Sequence, residues 1–117
     1  MDFGSRFEEI PELDVTGTYE KWRAGEVSLL DVREPDEWEL GHVDGIAWIP
    51  LGELPYRWEE LDSTKTWVCV CRLGTRSYYA AAMLRHAGID ASNMMGGMLK
   101  WKTAGLPITA PGIVEEH

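Results

Sequence analysis

Residues 66–88 read TWVCVCRLGTRSYYAAAMLRHAG, and three signals follow one another along them. Trp67, Val68, Cys69 and Val70 make an apolar run of strand length, which predicts a buried strand. Ala80, Ala81, Leu84 and Ala87 then recur at helical spacing as a narrow packing stripe. Arg85 and His86 suit the negative end of that helix, and Gly88 is placed for a left-handed C-cap. Between strand and helix lies Cys71-Arg72-Leu73-Gly74-Thr75-Arg76. Loop amides and a positive helix end both favour an anion at such a turn, so Cys71 is a candidate thiolate. Gly74 gives the turn backbone freedom, and Arg72 and Arg76 add permanent positive charge. Ser77 is a candidate cap or hydroxyl donor at the helix start.

Working outward, further strands are predicted at 12–15, 27–32, 46–49 and 91–95, with the run at 27–32 central because it is continuously apolar. Helices are predicted over 19–24, capped by Thr16 or Thr18, over an acidic stretch at 34–40 stopped by Gly41, and over 51–61 with Leu54, Trp58 and Leu61 on one face. A last helix follows Gly96-Gly97, carries Leu99, Trp101 and Lys102, and ends at Gly105-Leu106-Pro107. This alternation predicts an α/β fold with a mostly parallel sheet of about five strands and helices on both faces. In such sheets the ligand crevice lies at the carboxyl ends of the strands, where Cys71 and Asp31 both fall. Asp31 and Arg33 are read as residues that either orient the loop or form a structural ion pair, the latter favoured for Arg33. His42 is read as structural, the six tryptophans as core and rim, and the acidic helix as a solvated face.

The chain of 117 residues, 44% hydrophobic, predicts one domain over 11–107, with a mobile segment at 1–10 on which Phe3 and Phe7 are candidate docking residues, and a surface tail at 108–117. Eleven basic against twenty acidic residues give a net charge of -9, which argues against nucleic acid or an anionic membrane as the main partner. Cys69 and Cys71 are the only cysteines, too close along one strand for a disulfide and without further ligands at metal-site spacing. Cys69 is read as inert packing. No apolar run approaches the ~20 residues of a membrane span, and the start lacks signal-peptide character, so the default expectation is cytoplasmic.

Four blocks in order carry a resemblance: LLDVREPDEW at 29–38 with GHVDG at 41–45; VCVCRLGTRS at 68–77; AAAML at 80–84 with Gly88; and MGGMLKW at 95–101 with Gly105-Leu106-Pro107. Together they resemble the single-domain rhodanese family of sulfurtransferases. The resemblance implies that Cys71 accepts sulfur from a small anionic donor such as thiosulfate, and that its persulfide passes the sulfur to cyanide, a thiol, thioredoxin or another sulfur-carrier protein. It implies donor binding by Arg72, Leu73, Gly74, Thr75 and Arg76, support from Asp31, Arg33 and Ser77, and no metal or organic cofactor. A sulfur-relay or regulatory binding module on the same fold is the alternative. Cell-cycle dual-specificity phosphatases share the fold but place arginine six residues after the cysteine. Here that position is Ser77 and the arginine comes one place earlier, so the ring is short for phosphate.

Overall fold

The structure, a computed structural model, describes residues 10–110. The segment expected to be mobile, with Phe3 and Phe7, lies outside the described residues except for Ile10, which is buried in the core. Of the expected tail, Thr109 exchanges two backbone hydrogen bonds with His42, at 2.8 and 2.7 Å.

Five parallel strands form one sheet in the order β1-β5-β4-β2-β3. They are β1 (Glu12–Leu13), β2 (Ser28–Asp31), β3 (Ala47–Trp48), β4 (Trp67–Val70) and β5 (Ala91–Met94). Between and after them run α1 (Val15–Arg23), α2 (Pro35–Leu40), α3 (Leu54–Arg57), α4 (Thr75–His86) and α5 (Gly97–Thr103). β4 is the middle strand, and all four of its residues are buried. Its pleat sends Trp67, Cys69 and the following Cys71 into a core with Leu54, Ala80, Ala81 and Leu84. Val68 and Val70 enter the opposite core with Val15, Met94, Met98 and Trp101. Thus α3 and α4 cover one face and α1 and α5 the other.

Local chemistry explains where the elements depart from expectation. The first strand stops at Leu13 because Asp14, not Thr16 or Thr18, caps α1: its Oδ1 accepts the Gly17 amide at 2.7 Å. Thr18 is instead a buried residue of the helix, its hydroxyl donating to the Asp14 carbonyl at 2.8 Å. The helix expected over 51–61 is divided into 3-10 turns at Leu51–Glu53 and Trp58–Glu60 around α3. Pro55 has no N–H for a continuous ladder, although Leu54 and Leu61 are buried as expected. The stripe on α4 is formed by Ala80, Ala81 and Leu84, all at 0% exposure, whereas Ala87 is exposed. No helix among the described residues is long and apolar enough to cross a membrane.

Candidate active site

At the end of β4 the chain turns through Cys71 to Gly74 and enters α4. The first turn of any helix leaves amides without intrahelical partners. In α4 one of these, the Ser77 N–H, donates to Cys71 Sγ at 3.4 Å, and the Gly74 N–H donates to the same sulfur at 3.1 Å. The Ser77 hydroxyl lies 3.2 Å from Sγ. Ser77 is therefore not a cap, since Gly74 occupies that position; it lies in the first turn, with its side chain and amide both against the sulfur.

The nitrogens face inward because the carbonyls are engaged elsewhere. The Cys71 carbonyl accepts the Met98 amide at 2.8 Å and the Arg72 carbonyl accepts the Leu99 amide at 3.1 Å, so the start of α5 holds both outward. This requires close approach: a Cβ on Gly97 would lie 2.3 Å from the Arg72 carbonyl oxygen and 2.6 Å from that of Cys71. The Gly74 carbonyl is held by Asn93 Nδ2 at 3.0 Å. Gly74 itself has φ +103, and a Cβ there would press on the Gly96 nitrogen at 3.1 Å.

Burial pushes the Cys71 thiol up, yet hydrogen bonds from the Ser77 hydroxyl and from the amides of Ser77, Gly74 and Leu73 outweigh it. The thiol consequently titrates below its ordinary value. Cys69, fully enclosed and near the charge of Cys71, is pushed strongly upward and stays protonated. Cys71 is only 1% exposed, but it lines a cleft of about 180 Å³ with Glu37, Arg72, Leu73, Thr75 and Arg76. Of the five residues expected to bind a donor, Arg72, Leu73 and Gly74 lie in the turn and Thr75 and Arg76 in the first turn of α4, all but Gly74 lining the cleft. The side chain of Arg72 has no hydrogen-bond or ion-pair partner among the described residues.

Arg76 differs. Its guanidinium grips Glu37 through two bonds of 2.6 and 2.7 Å. The Arg76 bond holds the Glu37 carboxyl down at about 2, and Glu37 raises Arg76 in return. The acidic helix α2 is thus more than a solvated face. Asp31 and Arg33 form a buried ion pair at 2.8 Å, and Arg33 also donates to the carbonyls of Gly41 and Glu37. The pair ties the end of β2 to α2 and so places Glu37 opposite Arg76. His42 lies apart from the cleft, stacked on Trp38 at 3.9 Å, with Nδ1 2.9 Å from the Trp38 carbonyl.

Sequence reasoning missed two residues. Asn93, 1% exposed, accepts the Ser77 hydroxyl at 2.6 Å and donates to Glu12 at 2.8 Å as well as to Gly74. A lone amide in a short, otherwise buried strand was its available signal, because a polar group there needs partners. Glu37 gave none: 39 residues separate it from Arg76, among many other carboxylates.

Comparison with known proteins identifies the family of the fold. Residues 15–104 match the Rhodanese-like domain family. A "Sulfurtransferase" of Allochromatium vinosum is 37% identical over 87 residues, covering 74% of this chain and 81% of that protein. The "HTH-type transcriptional regulator Rv0324" of Mycobacterium tuberculosis is 39% identical over 87 residues, or 73% of this chain, which spans only 38% of the regulator. A rhodanese-related protein of Thermoplasma volcanium superposes with a TM-score of 0.80 at 29% identity, covering 85% of this chain and 97% of that one. A five-stranded parallel α/β domain, a cysteine at the turn from its central strand into a helix, and a family match across nearly all described residues agree: this chain belongs to the rhodanese-like domain family.

Proposed function

We propose that the protein is a sulfurtransferase that carries sulfane sulfur on Cys71. The observation that supports this most is the pair of amides, from Gly74 and Ser77, aimed at Cys71 Sγ from a loop whose Cys71, Arg72 and Gly74 carbonyls are held by other groups. A ring of fixed donors stabilises a thiolate and, one atom further out, a persulfide anion without reorganisation. With thiosulfate as donor, the Cys71 thiolate attacks the outer sulfur, the S–S bond to the sulfonate breaks, and sulfite leaves with the electron pair. Cyanide then attacks the sulfane sulfur, giving thiocyanate and restoring the thiolate. Charge and electrons balance in both steps, and no cofactor is required.

Arg72, without a partner among the described residues, is suited to hold sulfonate oxygens; Arg76 contributes through a guanidinium that Glu37 already engages. Two free cysteines suit a reducing, cytoplasmic setting. The deciding assay is thiocyanate formation from thiosulfate and cyanide. Activity that disappears in Cys71→Ser and shows a raised KM in Arg72→Ala, beyond that of Arg76→Ala, supports the assignment. Activity surviving in Cys71→Ser would refute it. Sulfur relay to a partner is a second reading, favoured by the apolar surroundings of the cleft.

A further inference from the structure

A site for thiosulfate and cyanide needs charge and amides but no apolar collar, and this one has such a collar. Of the six large hydrophobic side chains exposed among the described residues, four surround the Cys71 loop: Leu40 at 80%, Leu73 at 56%, Met95 at 44% and Leu99 at 51% exposure. Leu73 lines the Cys71 cleft itself. Leu40 and Leu99 line a neighbouring groove of about 260 Å³ with Met98, Arg72 and Lys102, and the two hollows share Glu37 and Arg72 as common walls. The main chain of Met95 borders Gly74, where a Cβ would stand 3.7 Å from the Met95 Cα. Clustered exposed hydrophobics of this kind mark surfaces that another macromolecule covers.

Charge selects the occupant. In the groove Arg33 is neutralised by Asp31 and Glu37 by Arg76, whereas Arg72 and Lys102 form no ion pair among the described residues. The groove is therefore locally positive on a chain of net charge -9. Resting on the sulfurtransferase reading, we propose that the physiological acceptor is a protein thiol on a segment carrying apolar side chains and a carboxylate. Its apolar residues cover Leu40 and Leu99, its carboxylate meets Arg72 and Lys102, and its cysteine enters the adjoining cleft. There the acceptor thiolate attacks the outer sulfur of the Cys71 persulfide. The new S–S bond forms as the Cys71 Sγ–S bond breaks, and the electron pair stays on Cys71 as thiolate. The acceptor leaves as a persulfide, with no net oxidation.

The test uses the full chain and two short synthetic peptides with one cysteine each, flanked by leucine and glutamate in the first and by glycine and lysine in the second. With Cys71 already persulfidated, the leucine–glutamate peptide should take sulfur about tenfold more efficiently, the scale of one covered apolar anchor. That advantage should vanish in Leu40→Glu and in Leu99→Glu, while discharge of the Leu40→Glu persulfide to cyanide is unchanged. Equal rates for the two peptides, or an advantage that survives both substitutions, would overturn the proposal. A binding arm works without sulfur chemistry: the leucine–glutamate peptide with serine for cysteine is titrated against the full chain. Saturable binding, weakened about tenfold by Leu40→Glu, supports the surface, and absence of binding overturns it. Failure to form the persulfide at all would strike the sulfurtransferase reading while this arm still decides the docking face.

Discussion

Asn93 holds the loop's polar groups in one orientation. Its Nδ2 faces the Glu12 carboxylate and the Gly74 carbonyl, which only accept, so its Oδ1 must accept the Ser77 proton. The one Ser77 hydroxyl proton is split between Asn93 at 2.6 Å and the sulfur at 3.2 Å, the nearer acceptor taking the larger share, so the backbone amides are the donors that stay on Cys71 without competition. Asn93→Asp sets a carboxylate against Glu12 and Gly74. We expect a stability loss of about 1–3 kcal/mol by urea denaturation, and slower alkylation of Cys71 at neutral pH as the new charge raises its thiol. Adding Glu12→Gln should restore part of the stability; an alkylation pH profile identical to wild type would remove Asn93 from this role. Glu37 titrates near 2 against an ordinary 4.5, so its contribution to stability is complete above pH 4.5 and lost as pH falls toward 2. Glu37→Gln should lack that acid-range loss and, by releasing Arg76, should lower the KM for thiosulfate. An unchanged KM would show that Arg76 does not face the donor. The amide-lined setting of Cys71 was legible from residue types alone, because the turn around its sulfur is contiguous. Asn93, which holds Ser77, and Glu37, which engages Arg76, come from a distant strand and a distant helix, and only the folded chain brings them near.

At the scale of elements, the decisive contact is between the Cys71 loop and the start of α5. Gly97 has φ +60 and no room for a side chain, so Gly97→Ala must push the Arg72 and Cys71 carbonyls away and release the two amide bonds that hold them. Left-handed strain of about 1–2 kcal/mol adds to that displacement. Gly88→Ala, with φ +91 but nothing within 4 Å, should carry the strain alone. Thermal denaturation should therefore place Gly97→Ala well below Gly88→Ala, with sulfur transfer impaired only in the former; equal Tm and equal activity would contradict the packing. The order and type of elements followed from local pattern: apolar runs bounded by glycine and proline for the strands, helical spacing for α4. Boundaries moved where a side chain competed for the backbone. Asp14 took the cap that Thr16 or Thr18 was expected to supply, and Pro55 interrupted the helix expected over 51–61.

For the molecule as a whole, the two cores share one thin partition. β4 supplies Cys69 to one and Val68 to the other, so neither face can lose its order while its opposite keeps the strand in place. Unfolding should accordingly be a single transition, with tryptophan fluorescence and far-UV circular dichroism giving the same urea midpoint. Leu84→Ala, in the core beneath α4, should shift both signals together by about 2–5 kcal/mol; separate midpoints would mean independent halves. The parallel sheet was readable from the alternation of strands and helices, whereas the apolar collar of Leu40, Leu73, Met95 and Leu99 was not. Those residues are scattered over three chain segments, and each alone is an unremarkable exposed side chain. The most direct test of sulfur carriage is intact mass after incubation with thiosulfate and removal of excess donor. Wild type and Cys69→Ser should each gain one sulfur atom, and Cys71→Ser none; a wild type that gains nothing, or a Cys71→Ser variant that gains as much, would contradict the account.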